Sequence, residues 1–217
     1  MTSAVQDYAK AIYALEQRGT TTVSTNAIAR RMGVTAASAS SMVKRLDGMG
    51  LVTHVPYRGV QLTDAGLKVA LEVLRHHRLL ELYLTETLGV PWDRVHDEAE
   101  VLEHVLSEEL EELIATKLGD PTHDPHGDPI PTRDGHIAEA PTTALDDLGP
   151  GACGTFVRVS DADPEMLRYL AERGIAPGHR LEVIEKQPFD GPVFVRFGKD
   201  VHVLGGGLAR SMRVQED

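Results

Sequence analysis

Hydrophobic residues recur at three- and four-residue intervals in three stretches near the N-terminus, which predicts three short helices. These stretches cover residues 5–18, 26–32 and 36–50, and Gly33 separates the second from the third. Residues 51–62 then alternate apolar and polar positions around the turn sequence Pro-Tyr-Arg-Gly, which predicts a two-stranded hairpin. Two helices joined by a tight turn and followed by a hairpin are typical of a winged helix-turn-helix.

A longer helical region follows the hairpin. Helical periodicity runs from Thr63 to about Leu88, is interrupted by Gly-Val-Pro-Trp, and resumes from about Asp93 to Leu118. The apolar residues of these two segments outnumber the positions that one pair of helices can bury. We therefore predict that the region also forms a subunit interface, as in the twofold dimers of many DNA-binding proteins.

The last part of the chain changes from helical to strand patterning. Residues 119–151 are rich in Gly, Pro and Asp and predict an irregular connector. Residues 154–214 combine four short β-type runs, TFVRV, RLEVIEK, VFVRF and VHVLG, with one helical segment, PEMLRYLAERG. This combination predicts a small β-barrel of the SH3-like type. The fold class expected for the whole chain is mainly α with a small β domain.

Charge is distributed unevenly along the chain, whose net charge is −11. Residues 1–70 contain 8 Lys and Arg against 4 Asp and Glu, whereas the remaining residues contain 14 against 29. A mildly basic N-terminal part can meet phosphates even though the acidic remainder repels them. The composition therefore permits DNA binding without establishing it.

The lack of a recognisable targeting signal and the single cysteine predict a cytoplasmic protein. No apolar run approaches the roughly 20 residues of a membrane span, and the N-terminus lacks the pattern of a signal peptide. The single cysteine, Cys153, cannot form an internal disulfide, which agrees with a reducing compartment. We expect Cys153 to be a small buried hydrophobic residue.

Metal-ligand side chains concentrate in the two long helical segments. On one helix Glu100, Glu103 and His104 would share a face, because they stand at i, i+3 and i+4. His77 and Glu81 stand one turn apart in the preceding segment. Two such helices packed face to face would form a cage of carboxylates and imidazoles, which suits divalent ions such as Mn, Fe, Co, Ni or Zn. The alternative is an acidic amphipathic helix with a solvated face.

The third predicted helix has the features of a recognition helix. Its small hydroxyl side chains can approach phosphates or bases, and basic residues surround them. With no Asn, Gln or Arg at its start, we expect phosphate contacts and DNA shape to contribute more than base readout. Alternatively, the small residues only permit close packing of helices. The candidate DNA-binding residues are Thr35, Ala37, Ser38, Ser40, Ser41, Lys44, Arg45 and Arg58.

These features together resemble the diphtheria-toxin-repressor family of metal-dependent transcriptional repressors. The segments HHRLLE, VHDEA and EHVLS carry the resemblance, and DPHGDPIP resembles the segment that follows the family's dimerisation helices. The C-terminal part resembles the family's SH3-like domain, which is related to the iron-transport accessory protein FeoA. The resemblance implies a winged helix-turn-helix DNA-binding domain (residues 1–70), a helical dimerisation and metal-binding domain (71–140), and a linker with the FeoA-type domain (141–217).

The resemblance also implies a regulatory metal site and its effector. Where iron-responding members have Met and Cys, this chain has Asp7 and Glu100, which exchange a soft sulfur for a hard oxygen. The implied ligands are Asp7, Glu100, Glu103 and His104, and the implied effector is Mn(II). Short manganese-responsive members have Glu where this chain has Lys10, so the chain departs from their closely spaced binuclear arrangement.

A second metal site is implied by further matches to the family. Some residues of this chain match the family's ancillary ligands in the helical domain. Other residues match ligands that follow the dimerisation helices or that lie in the SH3-like domain. If they converge, a metal ion would connect the third domain to the second. We expect only some of them to bind at once, with about two ions per subunit over both sites. The candidates are His77, Glu81, His96, Asp124, His126 and Asp163.

We therefore expect a Mn(II)-dependent repressor of metal-homeostasis genes, in which metal binding fixes the DNA-binding geometry of a homodimer. Fe(II), Co(II) or other divalent ions could also bind in vitro. The expected partners are double-stranded operator DNA and a second copy, with no membrane, no small-molecule substrate and no enzymatic activity. An Fe(II)-dependent repressor is the first alternative. A metallohydrolase is less favoured, because the sequence has no separate nucleophile constellation and no Gly-rich phosphate loop.

Overall fold

The structure is a computed structural model that describes residues 1–17, 22–55 and 59–217. These residues divide into two compact units, each built from more than one stretch of chain. The first contains Met1–His77, Leu102–Ser107 and Pro131–His136, and the second contains Arg78–Val101, Glu108–Ile130 and Ile137–Asp217. The fold class is confirmed: helices dominate, and a six-stranded sheet forms the C-terminal part. The division into three domains after residues 70 and 140 stays a prediction.

Helices and a hairpin form the N-terminal part of the first unit, as the hydrophobic pattern predicts. β1 and β2 pair antiparallel, with Val52 opposite Leu62 and Val55 opposite Gly59. Two parts of the prediction lie outside the described residues: the end of the first helical stretch, which was predicted at residue 18, and the Pro-Tyr-Arg part of the turn. The elements are α1 (Ser3–Glu16), α2 (Thr25–Arg31), α3 (Ala36–Gly48), β1 (Val52–Val55), β2 (Gly59–Leu62) and the start of α4 (Asp64–Leu88).

Hydroxyl side chains begin three of these helices. Ser24, Thr35 and Thr63 each accept a hydrogen bond from the backbone amide three residues later, at 3.1 to 3.2 Å. Such caps satisfy amide groups that the first turn of a helix leaves without a partner. Behind them the helices share one core with the hairpin, whose fully buried members include Val5, Ile12, Ile28, Val43, Leu46 and Val60. The caps and this core together position α3.

The long helix expected over residues 93–118 is instead two helices. α5 spans Val95–Leu102 and α6 spans Glu108–Lys117, and the turn between them covers residues 103–107. The expectation of one continuous helix is therefore wrong. It arose because Val105 and Leu106 continue the apolar pattern across the turn. Periodicity of side chains cannot detect a turn that preserves the pattern.

Apolar side chains around this turn are exposed. Val101 and Val105 are 71% and 77% exposed, and Leu102, Leu110 and Leu113 are exposed as well. By contrast, four leucines in the second half of α4 are buried, namely Leu79, Leu80, Leu82 and Leu84. The large exposed apolar side chains of α4 to α6 therefore occur mainly around the turn between α5 and α6, and in α4 only Leu67 and Leu88, towards its two ends, are exposed as well.

The second unit contains the C-terminal sheet. Its strands are antiparallel in the order β3-β8-β4-β5-β6-β7. Phe156, Leu170, Leu204 and Met212 are fully buried in its core. The elements are β3 (Thr143–Ala144), a 3-10 helix (Leu145–Asp147), β4 (Cys153–Val159), α7 (Pro164–Ala171), β5 (Arg180–Lys186), β6 (Val193–Phe197), β7 (Asp200–Leu204), α8 (Gly206–Ser211) and β8 (Met212–Glu216).

Two local expectations in this unit are wrong. α8 and β8 were not predicted, and for α8 the reason is that the glycines before and within it weaken any helical pattern. Cys153, expected to be buried, is exposed at the start of β4. Successive side chains of a strand point to opposite faces, and Gly154 and Phe156 take the inward face of β4. In the described part of the chain, no helix is long and apolar enough to cross a membrane.

Gly66 lies against backbone of the hairpin, and a Cβ there would lie 1.9 Å from Leu51 O. Gly66→Ala should therefore lower the free energy of unfolding by at least about 1 to 3 kcal/mol, because backbone must move to make room. Gly48→Ala in α3 is the matched control, since a Cβ there meets nothing within 4 Å. Because Ala has a higher helix propensity than Gly, this control should raise the free energy of unfolding by up to about 1 kcal/mol. Urea denaturation measures both, and effects of the same sign would contradict the packing argument.

Candidate metal centres

Three ligand-type side chains meet in the first unit. Asp7 lies early in α1, and Glu103 and His104 lie on the turn between α5 and α6. His104 Nε2 lies 2.8 Å from Asp7 Oδ1 and 3.6 Å from Glu103 Oε1. One ligand atom from each residue lies within 4.8 Å of the other two, so the three can surround one divalent ion. We call this cluster the first centre.

Gln6 fixes the orientation of the His104 ring in the first centre. Its side-chain oxygen lies 3.0 Å from His104 Nδ1, and an amide oxygen only accepts hydrogen bonds, so Nδ1 carries the proton. The other ring nitrogen, Nε2, faces Asp7 and Glu103 and is therefore the atom that can bind a metal ion. Histidine ligands are commonly oriented in this way through their second nitrogen. Gln6 was not among the residues predicted for the site, because glutamine has no preference for metal ions that a sequence pattern could reveal.

Glu103 is the most deeply buried acid of the first centre, with 1% of its surface exposed. Lys10 Nζ lies 2.6 Å from its Oε1 and 2.8 Å from its Oε2. His77, assigned to the second site from the sequence, lies in this unit with Nδ1 2.5 Å from Glu103 Oε2. A buried carboxylate is stable only when its charge is matched, and the ammonium group of Lys10 supplies that charge.

A second cluster forms in the second unit around Glu81 of α4, which is 1% exposed. His96 Nδ1, from α5, lies 3.3 Å from Glu81 Oε1 and 3.1 Å from Asp161 Oδ2. Asp161 lies in the loop between β4 and α7. This side of the cluster therefore joins two helices to the part of the chain that forms the sheet.

The other oxygen of Glu81 faces the loop after α6. His126 Nδ1 lies 3.8 Å from Glu81 Oε2, and Asp124 contributes a third ligand atom within 4.8 Å of both. Asp124 Oδ1 accepts hydrogen bonds from the backbone amides of His126 and Asp128, each at 2.9 Å, which shapes the loop. We call the whole cluster, Glu81, His96, Asp124, His126 and Asp161, the second centre.

His126 presents a nitrogen that fits a metal ligand. Its Nε2 donates a hydrogen bond to Trp92 O at 2.8 Å, and its ring stacks on that of Trp92 with centroids 5.7 Å apart. Nδ1 is buried and has no hydrogen-bond partner among the described residues. Buried polar atoms are nearly always paired, so a buried nitrogen that faces two carboxylates without a hydrogen bond is suited to bind a cation.

The acids around Glu81 shift the pKa values of their neighbours. Hydrogen bonds to Asp161 and then to Glu81 raise the pKa of His96 to about 10. Burial lowers the pKa of His126, but the nearby carboxylates Glu81 and Asp124 outweigh it and raise the value to about 9. Burial raises the pKa of Asp124 to about 8, and neighbouring carboxylates add to this effect. Both histidines are therefore protonated at neutral pH unless a metal ion displaces their protons.

Asp161, and not the expected Asp163, is the carboxylate beside His96. Asp163 instead caps α7, where its Oδ1 accepts a hydrogen bond from the amide of Glu165 at 3.0 Å. The two acids stand two residues apart, so only the conformation of the loop decides which one faces the helices. Glu100 belongs to the second unit, where its Oε1 lies 3.8 Å from His96 Nε2. Its assignment to the regulatory site stays a prediction.

Most of the candidate DNA-binding residues on α3 face solvent. Thr35 Oγ1 and Ser38 Oγ lie 2.9 Å apart beside the bond that caps the helix. The alternative that small residues serve helix packing applies to Ala39, which is fully buried, whereas Thr35, Ser38 and Ser41 are exposed. Arg58 lies outside the described residues. The exposed candidates are Thr35, Ala37, Ser38, Ser41, Lys44 and Arg45, and Ser40 is half-buried.

Three family models match the chain in order. The N-terminal DNA-binding domain of iron-dependent repressors matches residues 1–60. Their metal-binding and dimerisation domain matches residues 63–132, and the FeoA domain matches residues 143–216. Similarity to individual proteins extends over nearly the full length. The iron-dependent repressor IdeR of Mycobacterium tuberculosis is 31% identical over 96% of this chain and 95% of its own.

The diphtheria toxin repressor of Corynebacterium diphtheriae is 32% identical, again over 96% of this chain and 95% of its own. The chain belongs to the diphtheria-toxin-repressor family. As a member of that family it is a metal-dependent transcriptional repressor. The named relatives are repressors, which supports regulation of transcription as the role of this chain.

Solved structures of the family include both close and more distant neighbours. A manganese-dependent transcriptional repressor in complex with manganese is 43% identical, with a TM-score of 0.90 over 98% of this chain and 100% of that one. The manganese regulator SloR is 30% identical, with a TM-score of 0.77 over 100% of both chains. ScaR with bound Cd²⁺ is 28% identical, with a TM-score of 0.80 over 98% of this chain and 99% of that one. Divalent metal binding is thus a shared property of the family to which the chain belongs.

Asp161→Asn should weaken Mn(II) binding at the second centre by at least about tenfold, because it removes a carboxylate that faces His96. Asp163→Asn is the matched control, since Asn caps a helix as well as Asp and should leave binding unchanged. Trp92 is the only tryptophan and stacks on His126, so its fluorescence during a Mn(II) titration reports this centre. Equal effects of the two substitutions would contradict the assignment of Asp161.

Mn(II) affinity at the second centre should rise as the pH approaches about 9. The sign follows from the raised pKa values of His96 and His126, about 10 and about 9: below them, metal binding must release protons from both rings. Asp124, with a pKa of about 8, adds to the same trend at lower pH. Calorimetric titrations in buffers of different protonation enthalpy measure the released protons. An affinity that is independent of pH would rule out ligation by these histidines.

Proposed function

We propose that the chain is a Mn(II)-dependent repressor of metal-homeostasis genes. The chemistry of the two centres carries this proposal, because every ligand atom is an oxygen or a nitrogen. Mn(II) competes least well among first-row divalent ions, and a site without sulfur reduces the advantage of softer metals. The family member solved with manganese, 43% identical to this chain, supports the same metal. The proposed ligands of the first centre are Asp7, Glu103 and His104. In the second centre Glu81 belongs to two groups of ligand atoms, one with His96 and Asp161 and the other with Asp124 and His126.

An Fe(II)-dependent repressor is the second candidate. It is favoured by relatives named as iron-dependent repressors, which are 31% identical over 96% of the chain. The donor atoms argue against it, because this chain has Asp7 and Glu100 where the resemblance places a Met and a Cys in iron-responding members. The only cysteine here, Cys153, is exposed on β4 and belongs to neither centre.

The first centre would couple metal binding to DNA binding through α1. Tyr8 and Ile12 of α1 pack into the core that also holds α2 and α3. Asp7 directly precedes Tyr8 in α1. When Asp7, Glu103 and His104 share an ion, that ion connects α1 to the turn that carries Glu103 and His104. Fixing α1 restricts the recognition helix that packs with it. By linkage, metal and DNA then strengthen the binding of each other by the same factor.

The second centre would hold a further ion within the second unit. Its ligands come from α4, α5, the loop after α6 and the loop after β4, which are separate stretches of chain. Shared ligation by Glu81, His126 and Asp161 would fix the helices and the sheet of this unit to one another. With the first centre, this gives about two ions per subunit.

Operator DNA would meet the exposed face of α3. Thr35 and Ser38 can donate hydrogen bonds to phosphates, and Lys44 and Arg45 supply positive charge at the same surface. A second copy of the chain would cover exposed apolar side chains such as Val105, because large apolar patches rarely face water in soluble proteins. The proposed active form is therefore a homodimer on double-stranded DNA.

Asp7→Ala should abolish the dependence of operator affinity on Mn(II), because it removes the only ligand that α1 contributes to the first centre. Glu72→Ala, which removes an exposed carboxylate from α4, is the matched control and should respond like the parent chain. Fluorescence anisotropy of labelled promoter DNA measures affinity at fixed ionic strength. Sedimentation verifies that both variants keep the oligomeric state of the parent.

Parallel titrations with Mn(II) and anaerobic Fe(II) decide between the two metals. Affinity that rises at lower free Mn(II) than free Fe(II) supports the manganese repressor. An equal or better response to Fe(II) would assign the chain to the iron-responding class. If Asp7→Ala still needs Mn(II) for full affinity, the first centre is not the regulatory site.

A further inference from the structure

Lys10 bonds to the carboxylate that the first centre offers to a metal ion. Its Nζ lies 2.6 Å from Glu103 Oε1 and 2.8 Å from Oε2, so one ammonium group contacts both oxygens. Oε1 is also the oxygen that lies 3.6 Å from His104 Nε2, which in turn lies 2.8 Å from Asp7 Oδ1. The ammonium group therefore shares a carboxylate oxygen with the metal-binding cluster.

Burial makes the contact between Lys10 and Glu103 strong. The side chain of Glu103 is fully buried and that of Lys10 is 16% exposed, so water and salt screen the pair little. His77 Nδ1, 2.5 Å from Oε2, occupies a further lone pair of the carboxylate. The most buried acid of the first centre thus has its charge matched by the chain itself.

The place of Lys10 in the sequence connects this contact to the regulatory site. Asp7 and Lys10 stand three residues apart in α1 and so share one face of the helix. The same face presents an anion that attracts a divalent ion and a cation that repels it. Repulsion between like charges depends on charge and distance, and it is the same for any divalent ion in that position.

We propose that Lys10 is an internal competitor for the metal ion: its ammonium group binds Glu103 and sets the metal concentration at which the first centre fills. The proposal rests on the proposed assignment of Asp7, Glu103 and His104 as ligands. When an ion takes Glu103 Oε1, the ammonium group must give up that oxygen, and the two positive charges stay beside one carboxylate. Lys10 therefore weakens metal binding without choosing between divalent metals.

Lys10→Met removes the charge and keeps a side chain of similar length. The full-length variant should bind Mn(II) at the first centre about tenfold more tightly or better. The electron paramagnetic resonance signal of free Mn(II) measures this binding. Lys10→Arg keeps the charge and should bind within about threefold of the parent chain. Lys68→Met removes an exposed charge from α4 and is the matched control.

Two further readouts separate the centres in the same titration. The fluorescence of Trp92 follows the second centre and should not shift in Lys10→Met. Asp7→Ala should remove the binding step that Lys10→Met strengthens. The strengthening should be the same for Mn(II) and Co(II), because it arises from charge alone. Lys10→Gln, which can still donate a hydrogen bond to Glu103, replaces the methionine variant if that variant does not fold.

Unchanged or weaker Mn(II) binding by the folded Lys10 variants would overturn the proposal, since Lys10 would then only hold Glu103 in place. An equal gain in Lys68→Met would also overturn it, because net charge and not position would explain the effect. If Asp7→Ala removes no binding step, the first centre itself is wrong. A failure of the Lys10 proposal alone looks different. The Mn(II)-binding step that depends on Asp7 is then present, but its affinity is the same in Lys10→Met as in the parent chain.

Discussion

A carboxylate buried in a protein must be matched by positive charge, and this constraint organises both candidate centres. Glu103 and Glu81 are each 1% exposed. The ammonium group of Lys10 matches Glu103, whereas the imidazoles of His96 and His126 match Glu81 and have raised pKa values as a result. Each acid thereby gathers groups from separate stretches of the chain. A divalent ion would enter places that are already arranged for positive charge.

The two centres differ in what a metal ion must displace. In the first centre the competitor is a fixed ammonium group on α1, so metal binding depends on whether Lys10 can release Glu103. In the second centre the competitors are protons on His96 and His126, so metal binding depends on pH. As candidate cation sites, the two centres would therefore be under different physical controls, and of the two, the first is the one that includes a residue of α1, Asp7.

Much of the fold follows from local spacing, and so does the list of ligand types. Apolar periodicity correctly predicts α1 to α4, the hairpin and most of the sheet, because each element buries one face at a regular interval. It fails at residues 103–107, where the apolar pattern continues although the backbone turns. That failure bears on the first centre, since Glu103 and His104 lie on this turn and reach Asp7 from there.

The sequence by itself determined which residue types were available: acids and histidines at helical spacing, a helix-turn-helix with small hydroxyl side chains, and no sulfur at the expected ligand positions. Only the tertiary structure decided which of them meet. It selected Asp161 over Asp163, oriented His104 through Gln6, and brought Lys10 to Glu103. These choices depend on contacts between residues far apart in the chain, and hydrophobic periodicity records which face is buried but not which atoms it meets.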